Sequence, residues 1–489
     1  MRSPVSFSIS CADVLRVTGG TMLQGEPTTV FTAVGTDSRE ALPGGLFVPL
    51  RGKRFDGHEF LAAAVANGAA GVLAAQDAPA SWRQLPAHVP VVGVADTLQA
   101  LGDLAAWWRR CFDIPVVAVT GSCGKTTTKE MIAAIAGGTR HVLKTEGTRN
   151  NLVGLPLTLL QLSAAHELAV LELGTNQPGE IARLTAIAAP DVGLITNIGS
   201  AHMEGFGSPA AIRTEKLDLF VFMRKTGTAI INLDDVVRGG LGSRWHGKKV
   251  TFALRRGSLA DVTATDVRSA GVAATAFTLR LSGVDLPVTI SAAGEHNVAN
   301  ALAAAATTLA LGCDACTIAQ GLAAFRPVAG RMEVIRLANG AFLVDDTYNA
   351  NPDSLCAALA TLAARRGAGA GIVVLGDMLE LGEMAERFHR ESGAAVAAIG
   401  AAALFLRGHW AGAVAAGAIA AGMEADRIHS LARPEDILPY LRYRVREGDW
   451  ILVKGSRGAS MEEITMAIRR AVGTAPAAVA GDIGSGVRT

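Results

Sequence analysis

Pro115-Val116-Val117-Ala118-Val119-Thr120-Gly121-Ser122-Cys123-Gly124-Lys125-Thr126-Thr127 decides the fold, because an apolar, β-branched run feeds a glycine turn that opens a helix. That succession is a phosphate cradle. Glycines let backbone N–H groups close on an anion, and the helix N-terminus adds partial positive charge. Lys125 can reach outer phosphates, and Thr126 offers a hydroxyl to a magnesium ion. The expected nucleotide-binding residues are therefore Gly121, Ser122, Cys123, Gly124, Lys125, Thr126 and Thr127, with ATP or GTP as the ligand. The loop is shorter than the pattern G-x-x-x-x-G-K-[ST], since Val119 stands where its first glycine would be. An ordinary glycine turn is the competing reading, and the strand before it and helix after it argue against that.

Outward from this loop, strand and helix patterns alternate: Val116 to Thr120, a helix from Lys125, Leu168 to Leu173, a helix from Glu180, then Val192 to Asn197. Alternation of this kind predicts a mostly parallel sheet covered by helices, with ligand at the carboxyl ends of its strands. Val250 to Ile290, rich in Thr and Val with two-residue alternation, adds antiparallel strands before a helix near Asn297. Upstream, short strands, a helix from Glu59 to Asn67 and a helix from Thr97 to Arg110 describe a small α/β domain. Gly312 to Gly330 reads as a hinge with a short helix at most, after which the alternation restarts from Phe342 to Val453 as a second open sheet. The fold class is α/β in three domains, 1–112, 113–327 and 328–473, followed by a disordered tail over 474–489.

Composition restricts the function classes. Fifty per cent hydrophobic and 18% charged residues describe a globular chain with sizeable cores, and 489 residues exceed one core. With 45 basic against 44 acidic residues there is no global attraction to nucleic acid or an anionic membrane, so phosphate recognition must be local. No apolar run is long and uninterrupted enough for a membrane span, and Met1 to Ser10 lacks the pattern of a signal peptide. The six cysteines show no zinc-ligand spacing, and Cys313 and Cys316 follow an alanine-rich helix; reduced thiols in a cytoplasmic protein are expected.

Two residues at predicted strand ends extend the site. Glu172 closes Leu168 to Leu173, and His202 follows the strand ending near Asn197, so a carboxylate and an imidazole would face the same crevice as Thr126. Together they are candidates for a magnesium site completed by water and phosphate oxygens. A helix-capping glutamate and a structural histidine are the bland alternatives.

TGSCGKTT, ELGTNQPGEI, NIGSAHMEGFGS, GEHNVANALAA, Gly330-Arg331-Met332-Glu333 and Asp345-Asp346-Thr347-Tyr348-Asn349-Ala350-Asn351-Pro352 together resemble the Mur ligase family, which builds the peptide stem of peptidoglycan precursors. Within it, DSRE from Asp37, the run from Pro43 to Phe60, DDTYNANP and Lys454-Gly455-Ser456-Arg457 are similar to the branch that adds a dipeptide last. The resemblance covers residues from about 30 to 470 in order. It implies ATP, two magnesium ions, UDP-N-acetylmuramoyl-tripeptide and D-alanyl-D-alanine as ligands, no nucleic acid, and a monomer. The first domain would hold the UDP-sugar, the second ATP and magnesium, and the third would close with the dipeptide.

Position by position, the resemblance makes Lys125 a phosphate ligand and assigns Thr126, Glu172 and His202 to magnesium. Lys216 matches a lysine that the family carbamylates with carbon dioxide, giving a carboxylate-like anion able to bind magnesium; an exposed lysine is the alternative. Asn297 matches an adenine-side asparagine, with helix capping as its rival, and Arg331 and Asp346 match residues that meet ATP. Ser38 and Arg39 would touch the uridine part of the sugar nucleotide, although a surface ion pair is the default for Arg39. Asn349 and Asn351 would orient substrate, with turn formation before Pro352 as the alternative, and Lys454, Ser456 and Arg457 would receive the dipeptide carboxylate. The run Thr145-Glu146-Gly147-Thr148-Arg149-Asn150-Asn151 resembles a substrate loop T-x-G-N-x-N-N in which Thr148 replaces an asparagine, so only Asn150 and Asn151 carry over. The expected chemistry is amide formation through an acyl phosphate. Its rivals are another Mur-type amide ligase, the third-residue-adding enzyme or a folylpolyglutamate synthase, and a nucleotide-driven switch.

Overall fold

The computed structural model describes residues 7–52, 54–78, 80–200, 202–235, 245–255 and 257–475. They form two compact units: the described residues of Met1–Arg268, Ala276–Ile290 and His296–Phe325, and those of Ser269–Thr275, Ser291–Glu295 and Arg326–Thr489.

The first unit contains two main sheets. A five-stranded sheet runs in the order Thr21–Gln24, Val91–Val94, Gly71–Ala75, Leu46–Phe47, Val34–Gly35, parallel except for Thr21–Gln24. The predicted helix from Glu59 begins as a 3-10 turn, Gly57–Phe60, and continues as Leu61–Ala66. The second sheet has nine strands, and Val116–Thr120 lies between Leu168–Glu172 and Val192–Ile195, parallel to both. All three strands are buried along their whole length, which is why they read as continuous apolar runs rather than as alternating ones.

Beyond Val192–Ile195 the sheet continues through Thr228–Asn232, Lys248–Ala253, Val262–Ser269, Thr275–Leu281 and Val284–Ile290. The antiparallel expectation for this region holds only at its far end. Lys248–Ala253 pairs parallel with both neighbours. Thr275–Leu281 and Val284–Ile290 are joined by Ser282 and Gly283, with φ of 51° and 77°, the backbone of a two-residue hairpin turn.

A buried guanidinium fixes the passage between these two sheets. The last turn of helix Thr97–Arg110 carries Arg109, which is 1% exposed and donates to the carbonyls of Phe112, Ile114 and Ala188 at 2.9, 3.2 and 3.2 Å. Asp191 accepts the Val116 amide at 2.9 Å and approaches Arg109 at 3.5 Å, so the connection leading into the phosphate-loop strand is pinned from both sides. Trp108, stacked edge-on against Phe7 and Phe112, joins one core that contains Val94 and Leu104 as well as Leu159 and Leu171.

Gly312 to Gly330, expected to carry a short helix at most, holds one of ten residues. Asp314 caps a ten-residue helix, Ala315–Ala324, and a Cβ on Gly321 would strike the Ile135 backbone, so this helix lies directly against Lys125–Ala136. Glycine there serves close packing, and its density in the sequence disguised a helix.

The second unit is built on a six-stranded sheet ordered Glu333–Arg336, Phe342–Asp346, Trp450–Lys454, Gly371–Gly376, Ala403–Arg407, Ile428–Ser430. Only the first pair is antiparallel. Alternate residues serve opposite cores: Val373 and Leu375 face one, Ile372 and Val374 the other. Thr474 bridges Leu337 and the Ala475 amide donates to the Arg336 carbonyl, so the start of the expected tail is ordered; residues 476–489 lie outside the described residues. Among the described residues no helix is long and apolar enough to cross a membrane.

Candidate active site

Thr120 ends the strand between those that end at Glu172 and Ile195, all parallel; the crossover from Val116–Thr120 runs one way along the sheet, to Val142–Lys144, and that from Leu168–Glu172 the other way, to Val192–Ile195, which opens a crevice at that edge. The phosphate loop fills it. Gly121 and Gly124 have φ of 148° and 80°, and a Cβ on the first would overlap the Thr196 hydroxyl, on the second the Asn300 carboxamide. Both positions therefore require glycine for backbone shape and for space.

The loop is held from the neighbouring strand end. The Ser122 amide donates to the Asn197 carbonyl at 3.0 Å. The Cys123 amide donates to Asn197 Oδ1 at 2.9 Å, while Asn197 Nδ2 donates to the Cys123 carbonyl at 3.0 Å. Thr196 Oγ1 also donates to that carbonyl at 2.6 Å. The Ser122 and Cys123 amides are thus engaged inside the protein, ahead of the first turn of helix Lys125–Ala136, where Thr126 and Thr127 sit.

Two lysines meet over this turn. Lys125 Nζ donates to the Gly121 carbonyl at 2.8 Å, and Lys216 Nζ reaches the same oxygen at 3.2 Å from helix Pro209–Phe222. Lys216 is 1% exposed, which rules out the exposed-lysine alternative. Burial, reinforced by the charge of Lys125, pulls its pKa from 10.5 down to about 7. Next to it, Glu215 is buried and accepts from the Gly179 and Ile181 amides, each at 2.7 Å, and from the Thr175 hydroxyl at 3.1 Å. It shapes the turn that follows Glu172.

Glu172 is 2% exposed and both its oxygens are engaged: Thr126 Oγ1 donates to Oε2 at 2.7 Å and Asn150 Nδ2 to Oε1 at 2.9 Å. The helix-capping alternative for Glu172 is therefore replaced by a direct contact with the phosphate-loop threonine. Thr145 Oγ1 accepts the Glu172 amide at 3.0 Å, and buried Lys129 donates to the Thr145 carbonyl, tying the start of the 145–151 loop to the phosphate-loop helix. Asn151 turns that loop, its Oδ1 accepting from the Val153 and Gly154 amides, and Thr148 is exposed.

His202 stands in the loop after Val192–Ile195 with φ 62°, at the start of the short helix Met203–Phe206. A Cβ on Gly205 would overlap the Asn176 carbonyl, so this helix packs on the turn beyond Glu172. Asn297 lies inside the first turn of helix Glu295–Ala310, past the capping position, and accepts from Asn300 Nδ2 at 3.2 Å; Asn300 accepts from Thr128 at 3.3 Å and backs Gly124. Among the described residues no group of three His, Cys, Asp or Glu side chains is arranged to hold a metal.

In the five-stranded part, Arg39 grips Asp37 through Nε and Nη2 at 2.8 and 2.6 Å, a surface pair that holds the Asp37 carboxyl down to about 2. The Ser38 carbonyl accepts from Asn67 at 2.7 Å.

The second unit gathers its predicted residues at the carboxyl ends of its own strands. Lys454 Nζ lies 2.6 Å from Asp346 and donates to the Asn349 carbonyl at 2.9 Å. Burial raises the Asp346 pKa against the opposing pull of Lys454. Asp346 also accepts the Met332 amide at 3.1 Å, fixing the segment that carries Arg331. The Arg331 guanidinium lies 3.8 Å over the Tyr348 ring, and that of Arg457 at 5.9 Å. Ser456 Oγ accepts the Leu379 amide at 2.9 Å and donates to the Ala350 carbonyl at 3.2 Å. Asn351 is the N-cap of helix Pro352–Arg365 in a reciprocal capping box with Ser354, so its side chain serves the turn that the competing reading anticipated.

Three family models match in succession: the Mur ligase family catalytic domain over residues 30–109, the Mur ligase middle domain over 119–308, and the glutamate ligase domain of Mur ligases over 330–457. The UDP-N-acetylmuramoyl-tripeptide–D-alanyl-D-alanine ligase of Escherichia coli K12 is 38% identical over 449 residues, covering 91% of this chain and 95% of the relative. The chain belongs to the Mur ligase family. Its α/β architecture is the three-domain Mur ligase fold. The crystal structure of MurF from Acinetobacter baumannii superposes with a TM-score of 0.86 at 32% identity, over 95% of this chain and all of that one. MurF from Thermotoga maritima, solved in complex with ADP, gives 0.77 at 29% identity over 90% and 97% of the two chains.

Within this Mur ligase, sequence reasoning missed Asn197, Asn300, Glu215 and Lys129. Asn197 had a readable signal, a polar residue directly after an apolar strand beside the phosphate-loop strand. The other three lie in helices, where nothing local announces a distant loop as their partner.

Proposed function

We propose that this chain is the ATP-dependent ligase that joins D-alanyl-D-alanine to UDP-N-acetylmuramoyl-tripeptide, releasing ADP and phosphate. The geometric observation that carries the chemistry is the convergence of Lys125 and Lys216 on the Gly121 carbonyl, beside the Thr126–Glu172 contact. The substrates follow from 38% identity to a named ligase across 91% of the chain.

A carboxylate is a poor electrophile, so its oxygen first attacks the γ-phosphorus of ATP, and ADP leaves. Lys125 neutralises charge developing on the transferred phosphoryl group. The dipeptide amine then attacks the acyl carbon of the acyl phosphate. Inorganic phosphate leaves from the tetrahedral intermediate, and the amine proton passes to solvent. Thr126 and Glu172 are hard oxygen donors already in contact, a set suited to magnesium, and we assign His202 and a carbamylated Lys216 as its further ligands. Bound there, the ion would offset phosphate charge and hold the γ-phosphoryl group in line. Carbamylation needs a neutral amine: Nζ of Lys216 adds to carbon dioxide, forming a C–N bond and releasing one proton. A pKa near 7 supplies that amine at neutral pH.

Residues 1–112 are assigned to the UDP-sugar through Ser38 and Arg39, 113–327 to ATP with Asn150 and Asn151 on the peptide, and 328–473 to the dipeptide through Asn349, Lys454, Ser456 and Arg457. Arg331, Asp346 and Asn297 are assigned to ATP. A monomer acting in the cytoplasm, where ATP and UDP-sugars are found, completes the proposal. Incubation with UDP-N-acetylmuramoyl-tripeptide, ATP and D-alanyl-D-alanine, followed by mass spectrometry and phosphate assay, tests it. One phosphate per dipeptide added is expected; phosphate release indifferent to the amine would overturn it.

A further inference from the structure

We infer that Asn197 is a positioning residue for nucleotide binding, acting through the Cys123 peptide to hold the phosphate loop open for ATP. The inference rests on the nucleotide reading of that loop. Asn197 meets both main-chain polar groups of one loop residue, and so two successive peptide units: Oδ1 accepts the Cys123 amide at 2.9 Å and Nδ2 donates to the Cys123 carbonyl at 3.0 Å. Its own carbonyl takes the Ser122 amide at 3.0 Å. The orientation of the carboxamide is determined chemically, since an amide N–H can face only Oδ1 and a carbonyl only Nδ2.

The consequence for the ligand is geometric. Gly121 leaves the strand at φ 148° and Gly124 enters the helix at φ 80°, so the two residues between them, Ser122 and Cys123, are the loop's hinge. Locking Cys123 in both senses fixes the direction in which the chain enters helix Lys125–Ala136, and with it the direction of the first-turn amides. Asn197 touches neither phosphate nor metal in this scheme. It presets a cradle that would otherwise have to be ordered by ATP itself, and so it acts on nucleotide affinity before it acts on turnover.

Asn197→Ala removes both hydrogen bonds. Asn197→Asp keeps the shape and the acceptor but sets an anionic oxygen against the Cys123 carbonyl. Protonation of the introduced carboxyl restores an O–H donor to that carbonyl, so the two variants differ in pH dependence although they share a location. ATP affinity is measured by titration calorimetry from pH 8 to pH 5.5 for the parent protein and both variants, with thermal melting and the Michaelis constant for D-alanyl-D-alanine alongside. Relative to the parent at each pH, both variants are expected to bind ATP about tenfold to a hundredfold more weakly at pH 8. The Asn197→Asp deficit shrinks as pH falls while the Asn197→Ala deficit stays constant, and the dipeptide constant moves less than twofold in either.

Parent-like ATP affinity in Asn197→Ala overturns the inference, as does an Asn197→Asp deficit that ignores pH. Losses in the melting temperature that account for every change, without pH rescue, also overturn it by reducing Asn197 to a fold residue. A parent protein that fails to bind ATP at all refutes the nucleotide reading and the inference together, and so is distinct from these results.

Discussion

Lys216→Met should stabilise the ligase while inactivating it, with a pH dependence of defined sign. Lys216 is wholly buried and its pKa falls from 10.5 to about 7, chiefly by burial and then by the charge of Lys125. At about 1.4 kcal/mol per pH unit, this corresponds to roughly 5 kcal/mol of unfavourable burial for the charged form, an upper bound before the surroundings relax. Below pH 7 both the folded and the unfolded chain hold the proton, so the penalty is complete. Between about 7 and 10.5 the unfolded chain binds more protons, and stability of the parent rises with pH. Methionine fills similar volume without charge, so its advantage is greatest below pH 7 and falls by about 3 kcal/mol towards pH 9.

The same pKa sets reactivity. About half of the Lys216 amine is neutral at pH 7, against roughly one part in three thousand for a lysine titrating at 10.5. Urea midpoints of parent and variant in carbon dioxide-free buffer at pH 6 and pH 9 measure the first effect. A carbon-13 carbonyl signal from labelled bicarbonate, present in the parent and missing in Lys216→Met, measures the second. Equal midpoint differences at the two pH values would refute the reasoning, because a group that stays protonated throughout cannot produce the slope.

Glu172→Gln keeps the acceptor for Thr126 but removes the charge, and we expect turnover to drop at least about a hundredfold with a melting temperature close to the parent, checked by phosphate release. Arg109→Ala leaves three carbonyls without their donor and opens a void in the linker between the two sheets of the first unit, so about 3–5 kcal/mol of stability should be lost, read from urea unfolding. Gly124→Ala forces a methyl into the Asn300 carboxamide at φ 80°, and ATP affinity should fall by at least about tenfold in calorimetry while the UDP-sugar still binds. Asp346→Asn leaves the buried Lys454 ammonium without its counter-charge and should cost about 3 kcal/mol or more, visible as earlier unfolding of the second unit by hydrogen exchange.

Much of this architecture was legible because its signals are local. Val116–Thr120 declared a buried strand by composition, the glycines declared the turn, and Lys125 followed within five residues of the strand end. Long-range commitments were not legible in the same way. Asn197 reaches a partner 74 residues away, and Glu215 serves amides 34 and 36 residues away, so neither role could be read from neighbours in sequence. Lys216 was found only through family resemblance, since its chemistry derives from burial, which a single lysine in a helix does not reveal. The helix Ala315–Ala324 was obscured by glycine, yet Asp314 at its cap and Ile318 and Leu322 on one buried face carried the helical signal.

Hydroxyl bonds across the strand ends hold the residues to which the chemistry is assigned, and they explain how the site stays ordered. Thr120 Oγ1 donates to the Leu173 carbonyl at 2.9 Å, joining the phosphate-loop strand to the Glu172 strand; Thr196 joins it to the strand on the other side through the Cys123 carbonyl. On one side the hydroxyl comes from the phosphate-loop strand and on the other from its neighbour, and each bond sets the height of a strand end relative to the loop. A sheet edge alone leaves its last carbonyls and amides open to water, where they would compete for the nucleotide's phosphates. Closing them with threonine and asparagine side chains removes that competition, and under the proposed function the helix N-terminus, Lys125 and the Glu172–Thr126 pair are then the polar groups assigned to the ligand.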